Sequence, residues 1–152
     1  MKLRFNLPEG WEVSSRKGEE WLEEIGEGVS FEEFHITPAT NDILSGIEIS
    51  VMTYGGWAGA YEIAEREAED YLDSLNLPDS LRPDTIKFIK ECEIGGEKAC
   101  YIVKQKPNEA AADIRIFLDR PCAFIDAYIP NWDYGFGEDQ ALEFLATFIS
   151  FD

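Results

Sequence analysis

Apolar and polar residues alternate over residues 2–7, where Leu3, Phe5 and Leu7 are interleaved with Lys2, Arg4 and Asn6. A period of two sends successive side chains to opposite faces of an extended chain, so this stretch predicts a half-buried strand. Pro8-Glu9-Gly10 then carries turn chemistry, and Trp11 and Val13 resume the alternation. Residues 19–28 can be read two ways: Trp21, Leu22 and Ile25 fit a short helix, whereas the run that follows, 29–37, reads as a strand. Beyond a polar loop at 38–42, Ile47, Ile49 and Val51 alternate with Glu48, Ser50 and Met52. That is a strand with a β-branched inward face, ended by Gly55-Gly56.

The period changes at residues 57–75. Tyr61, Ala64, Ala68, Tyr71, Leu72 and Leu75 recur every 3.6 residues, with Glu62, Glu65, Glu69 and Asp73 opposite them, which predicts a one-sided amphipathic helix. Like charges three and four apart on its acidic face cost roughly 0.2–0.5 kcal/mol per pair, so packing has to outweigh them. Strand-like runs follow at 86–94, 98–104, 113–118 and 122–129. If Gly95-Gly96 is a two-residue hairpin turn, Ile94 pairs with Glu97, Cys92 with Ala99 and Glu91 with Cys100. Cys92 and Cys100 then point to opposite faces and cannot bridge. Apolar residues fall on both faces of this hairpin, Phe88, Tyr101 and Val103 on one and Ile89 and Ile102 on the other, which predicts a sheet covered on both sides. A last helix predicted over 138–151 carries two apolar stripes, Leu142/Leu145/Ile149 and Ala141/Phe144/Phe148, with Glu138 and Asp139 in its first turn where the helix dipole favours them. The order predicts a single α/β (α+β) domain over 1–152: an antiparallel sheet covered by helices on both faces.

Four segments resemble, in order, the PsbP-like superfamily: Phe5-Asn6-Leu7-Pro8-Glu9-Gly10-Trp11, the Ile47/Ile49/Val51 strand before an Ala-rich helix, Ile94-Gly95-Gly96-Glu97-Lys98-Ala99, and the closing segment 145–151. That superfamily includes the photosystem II extrinsic subunit PsbP, a yeast Ran-binding protein, the bacterial lipoprotein DcrB and the Eag chaperones of type VI secretion. The resemblance implies a PsbP-like sandwich and a non-enzymatic binding role. It transfers no functional residue, because none of the four segments is a site motif.

Charge narrows the partners. The chain has 31 Asp and Glu against 13 Lys and Arg, a formal charge of -18, with a single His. Phosphate neutralisation and attraction to anionic lipid both need Lys and Arg, so nucleic acid and membrane surfaces are poor partners, while a basic protein is favoured. The 10 Phe, 6 Tyr and 4 Trp supply enough apolar area to fold despite that charge. Three cysteines without tight spacing suit a reducing compartment, and nothing near the start reads as a signal peptide or a membrane span, so the expected location is cytoplasmic.

Catalytic equipment is sparse. His35 has no second His to make a metal pair, and Cys92, Cys100 and Cys122 lie in apolar strands where they read as core thiols. No phosphate loop or nucleophile elbow is present, and Gly135-Phe136-Gly137 lacks the third glycine of a dinucleotide turn. Residues 133–139 combine glycines with oxygen ligands but lack EF-hand spacing. No catalytic residue, metal or cofactor is therefore expected. The distinctive local chemistry is aromatic: Tyr54 and Trp57 at a strand-to-helix junction, and Trp132, Tyr134 and Phe136 at the last one. Such rings either cap the core or anchor a partner. The expected function is a non-enzymatic, acidic protein-binding module (an adaptor, chaperone or immunity-type partner of a basic or amphipathic protein), with Tyr54, Trp57, Trp132, Tyr134 and Phe136 as contacts. The alternatives are a small hydrolase or isomerase whose acidic cleft uses His35 or a buried carboxyl, and a structural homodimer joined through the last helix.

Overall fold

The computed structural model describes residues 3–23, 26–39, 44–55, 60–82, 84–119 and 122–151. In chain order the strands and helices are β1 (Leu3–Phe5), β2 (Glu12–Leu22), β3 (Glu27–Thr37), β4 (Glu48–Tyr54), α1 (Ala60–Ser74), α2 (Thr85–Phe88), β5 (Lys90–Ile94), β6 (Glu97–Lys104), β7 (Ala112–Asp119), β8 (Cys122–Ile129), α3 (Gly137–Phe148) and β9 (Ile149–Phe151). Seven strands form one antiparallel sheet in the order β2-β3-β4-β8-β7-β6-β5, and β1 and β9 form a separate two-stranded ribbon. Hairpins join β2 to β3, β5 to β6, β6 to β7 and β7 to β8. The one long crossover, which holds α1 and α2, carries the chain from β4 to the far edge at β5.

Alternation sets the two faces. On β8, Ala123, Ile125, Ala127 and Ile129 enter the larger core with Ile114, Ile116 and Leu118 of β7 and Ile49 and Val51 of β4. Ala141, Leu145 and Phe136 close that core from above, joined by Leu3 and Phe5 of the ribbon. Cys122 and Phe124 point the other way, into a smaller cluster with Phe117, Ile102, Cys100 and the Ala60/Ala64/Ala68 stripe of α1. Small residues let the α1 backbone approach the sheet closely, and Leu72, 2% exposed, adds about 2 kcal/mol of burial at its end. Two tethers fix the helix: the Tyr61 backbone N–H donates to Asp119 Oδ1 at 3.1 Å, and the Tyr71 hydroxyl donates to the Gln105 carbonyl at 2.6 Å.

The expected sandwich with helices over both faces is corrected. Strand makes up 47% and helix 27%, and of the helices only α1 and α3 exceed one turn. Helix α1 packs mainly on β6, β7 and β8, with Met52 and Tyr54 of β4 at the margin of its cluster, while α3 shares its side with the β1–β9 ribbon. Mostly sheet, the molecule spends its apolar helical surface on half-faces.

Three local readings change as well. Residues 19–22 belong to β2, because the pairing with β3 runs unbroken from Glu12↔Thr37 to Leu22↔Glu27; Ile25 lies outside the described residues. Residues 85–88 form the single turn α2 rather than a strand, and Phe88 stacks on Tyr71 at 5.7 Å under α1 instead of sharing the face of Tyr101 and Val103. Short apolar runs do not separate a helical turn from a strand by period. The last helix stops at Phe148 and the chain extends into β9, because β1 supplies its partners (Leu3↔Phe151, Phe5↔Ile149) and the Asn6 N–H donates to the Phe148 carbonyl at 3.0 Å. Among the described residues no helix is long and apolar enough to cross a membrane.

Candidate functional site

The four described aromatic residues of those singled out from the sequence do not converge. Tyr54 ends β4 on the α1 side, edge-on to Phe124 at 5.6 Å, and its hydroxyl donates to Glu20 Oε2 at 2.7 Å. Burial and the neighbouring carboxylate both push that phenol upward. Phe136 is 7% exposed and meets Phe144 edge-on at 5.7 Å in the opposite core, against which Trp132 is also packed. Trp57 lies outside the described residues. Tyr134, 81% exposed, is the one of the four described rings that stands out into solvent. The second stripe of the last helix is also occupied within the chain, since Trp11 packs on Phe144 at 5.5 Å and on Phe148 at 4.7 Å.

His35 sits exposed on β3 in a cross-strand row with Ser50 of β4, Asp126 of β8 and Arg115 of β7. This row runs along the α1 side of the sheet and reaches α1 at Arg115, and His35, Ser50, Asp126, Asp113, Glu48 and Tyr128 help line a cleft of about 540 Å³ at its other end. The charged members of the row, His35, Asp126 and Arg115, each have a partner within the chain. His35 Nε2–H donates to Glu33 Oε1 at 2.6 Å, and Glu33 also accepts two hydrogen bonds from Arg16 at 3.1 and 3.2 Å. The Arg16 contact holds the Glu33 carboxyl below its ordinary value. Arg115 lies over the rings of Phe117 and Phe124, donates to Glu67 of α1 and stands 3.3 Å from Asp126. Burial raises the Asp126 carboxyl, with Arg115 pulling it back, and raises Asp113 likewise.

A second cleft, of about 560 Å³, opens between α1 and the edge strand β5. Its floor is Ala99 and Cys100; Tyr61 and Ile89 give it apolar walls; Glu65, Glu91 and Glu93 stand around it with one cation, Lys98. The Tyr61 hydroxyl donates to the Lys98 carbonyl at 3.0 Å, which ties α1 to β6 across the cleft. Burial pushes the Cys92 thiol up to about 11 and the Cys100 thiol up to about 12, so both stay protonated and act as small apolar surface rather than nucleophiles. None of the three cysteines is in a disulfide, and Cys92 and Cys100 do lie on opposite faces.

Residue patterns singled out neither Glu91 and Glu93 nor Tyr61 and Glu65 as one site. The hairpin register put Glu91 opposite Cys100, and the helical period set Tyr61 on the apolar stripe of the helix and Glu65 on the acidic side opposite it. That α1 crosses this hairpin is a tertiary fact without a local signal. In the 133–139 segment, Asp133 accepts from Gln105 at 3.0 Å and Glu138 pairs with Lys90 at 2.9 Å. Among the described residues no three His, Cys, Asp or Glu gather as metal ligands. No protein family, no curated protein and no solved structure matches this chain.

Proposed function

We propose that this chain is a non-catalytic binding module for a basic, amphipathic segment of another protein, acting in the cytoplasm. The observation that carries this reading is the α1–β5 cleft, where apolar walls of Tyr61 and Ile89 are rimmed by Glu65, Glu91 and Glu93. A peptide with one apolar side chain for the floor and Lys or Arg on either flank meets both chemistries at once. The formal charge of -18 would steer such a partner, and the apolar contact would slow its release. The resemblance to PsbP-like binding proteins agrees with a role without turnover, and three cysteines outside any disulfide suit a reducing compartment.

Fluorescence anisotropy with a labelled Lys/Leu-rich amphipathic peptide tests it. Binding is expected to weaken with salt and to fall at least tenfold in a Glu91→Lys/Glu93→Lys variant, while Tyr134→Ala leaves it unchanged. Binding lost in Tyr134→Ala but kept in the charge-reversed variant would move the site to the aromatic loop.

A second reading, a small hydrolase, draws support from the raised Asp126 and Asp113 carboxyls in a cleft shared with His35. Two contacts weigh against it: His35 gives Nε2 to Glu33 rather than to Ser50, and Asp126 is held against Arg115.

A further inference from the structure

Strand β2 is one end of the seven-stranded sheet and, among the described residues, pairs with β3 alone. It runs 11 residues, about twice the common strand length, in continuous register with neither bulge nor proline. Natural edges are usually interrupted by such devices, because a row of unpaired backbone N–H and C=O groups recruits another strand. What β2 carries instead is charge in a particular order: Arg16, Lys17, Gly18, Glu19, Glu20.

We infer that β2 is the interface through which two copies of this chain join, antiparallel about Gly18, into one continuous sheet. With Gly18 opposite Gly18, Lys17 faces Glu19 of the second copy and Arg16 faces its Glu20, and each pair occurs twice by symmetry. Any other register loses this match. Displacement by two positions sets Lys17 against Lys17 one way and Glu19 against Glu19 the other, and a slip of one leaves half of the four charges, Lys17 and Glu20 one way or Arg16 and Glu19 the other, without opposite partners. Like charges directly opposed across a ladder are destabilising, so the pattern favours the Gly18-centred register, in which all four charges are matched.

Two further observations agree. Val13 (43% exposed) and Trp21 (65% exposed) lie on the same face of β2, the face of Phe34 and Ile36 across the hairpin. In the Gly18-centred pairing Trp21 stands opposite Ser15 and diagonal to Val13 of the other copy, within reach of an aromatic side chain. Arg16 and Lys17 also remain open to a second carboxylate despite their intrachain partners Glu33 and Glu32, with side chains 64% and 80% exposed. Gly18 itself is held by its own neighbour: a Cβ there would come within 2.9 Å of the Phe31 ring, so the centre of the interface stays flat.

The test is sedimentation velocity on wild type and two charge-reversed variants, Arg16→Glu/Lys17→Glu and Glu19→Lys/Glu20→Lys, each checked for folding by circular dichroism. The wild type is expected to sediment as a dimer and each variant alone as a monomer. An equimolar mixture of the two variants is expected to recover the dimer mass, because every cross-strand pair is again of opposite sign. A monomeric wild type at the highest soluble concentration overturns the proposal. Variants that still self-associate, or monomeric variants whose mixture stays monomeric, overturn it too, the former by moving the interface elsewhere and the latter by removing the charge register.

Discussion

Gly95 and Gly96 occupy the two-residue turn between β5 and β6 with φ of +59° and +84°, but their surroundings differ. A Cβ on Gly96 meets nothing within 4 Å, whereas one on Gly95 would stand 2.8 Å from the Ser150 Cα of β9. Gly96→Ala should therefore cost about 1 kcal/mol from left-handed backbone alone. Gly95→Ala should cost roughly 1–3 kcal/mol more, because neither backbone can yield without moving β9. Urea unfolding of the two variants measures the difference, and equal midpoints would refute the contact. The turn itself was legible from its Gly-Gly pair. The reason for glycine at the first position was not, because it depends on the last strand of the chain.

Helix α1 rests its Ala60/Ala64/Ala68 stripe on the sheet, so the spacing between the two is set by methyl groups. Ala64→Leu should push the helix outward and lower stability by about 1–3 kcal/mol, although the substitution improves apolar content and keeps helix propensity. Leu72→Ala should cost roughly 2–5 kcal/mol by leaving a cavity. Thermal unfolding followed at the aromatic band would report both, and a stabilised Ala64→Leu protein would show that the helix sits farther from the sheet than described. Element by element, the sequence was readable wherever one period held alone: the β5–β6 pairing was legible to the residue, as was the Ile47/Ile49/Val51 face. It misled where tertiary partners decide. Residues 149–151 leave helix for strand because β1 is waiting, and Trp21 with Leu22 extend a hairpin whose pattern alone also suits a helical turn. The split cover of the sheet was similarly hidden, since apolar residues on both faces do not say which element covers each half. Of the candidate site, the hairpin carboxylates were visible individually and their meeting with α1 was not.

Across the molecule, acid titration should show two opposed groups of carboxyls. Glu33 is held low by Arg16, so its contribution to stability is present above its ordinary value of 4.5 and is lost as pH falls through the lowered one. Asp113 and Asp126 are raised by burial, so theirs is present below 3.8 and is lost as pH rises through the raised values. Arg16→Ala should move the Glu33 titration upward in carboxyl NMR and remove its share of the acid-side loss in urea unfolding at a series of pH values. A Glu33 resonance that does not move would break the assignment. A different consequence follows from the β1–β9 ribbon, in which Leu3 pairs with Phe151. Synthesis delivers β1 before the strands of the seven-stranded sheet and its described partner β9 after them, so β1 lacks that partner, with Leu3 and Phe5 uncovered, while the sheet is being made. The ribbon closes the larger core as a clasp, and until β9 has been made that core stays open on one side.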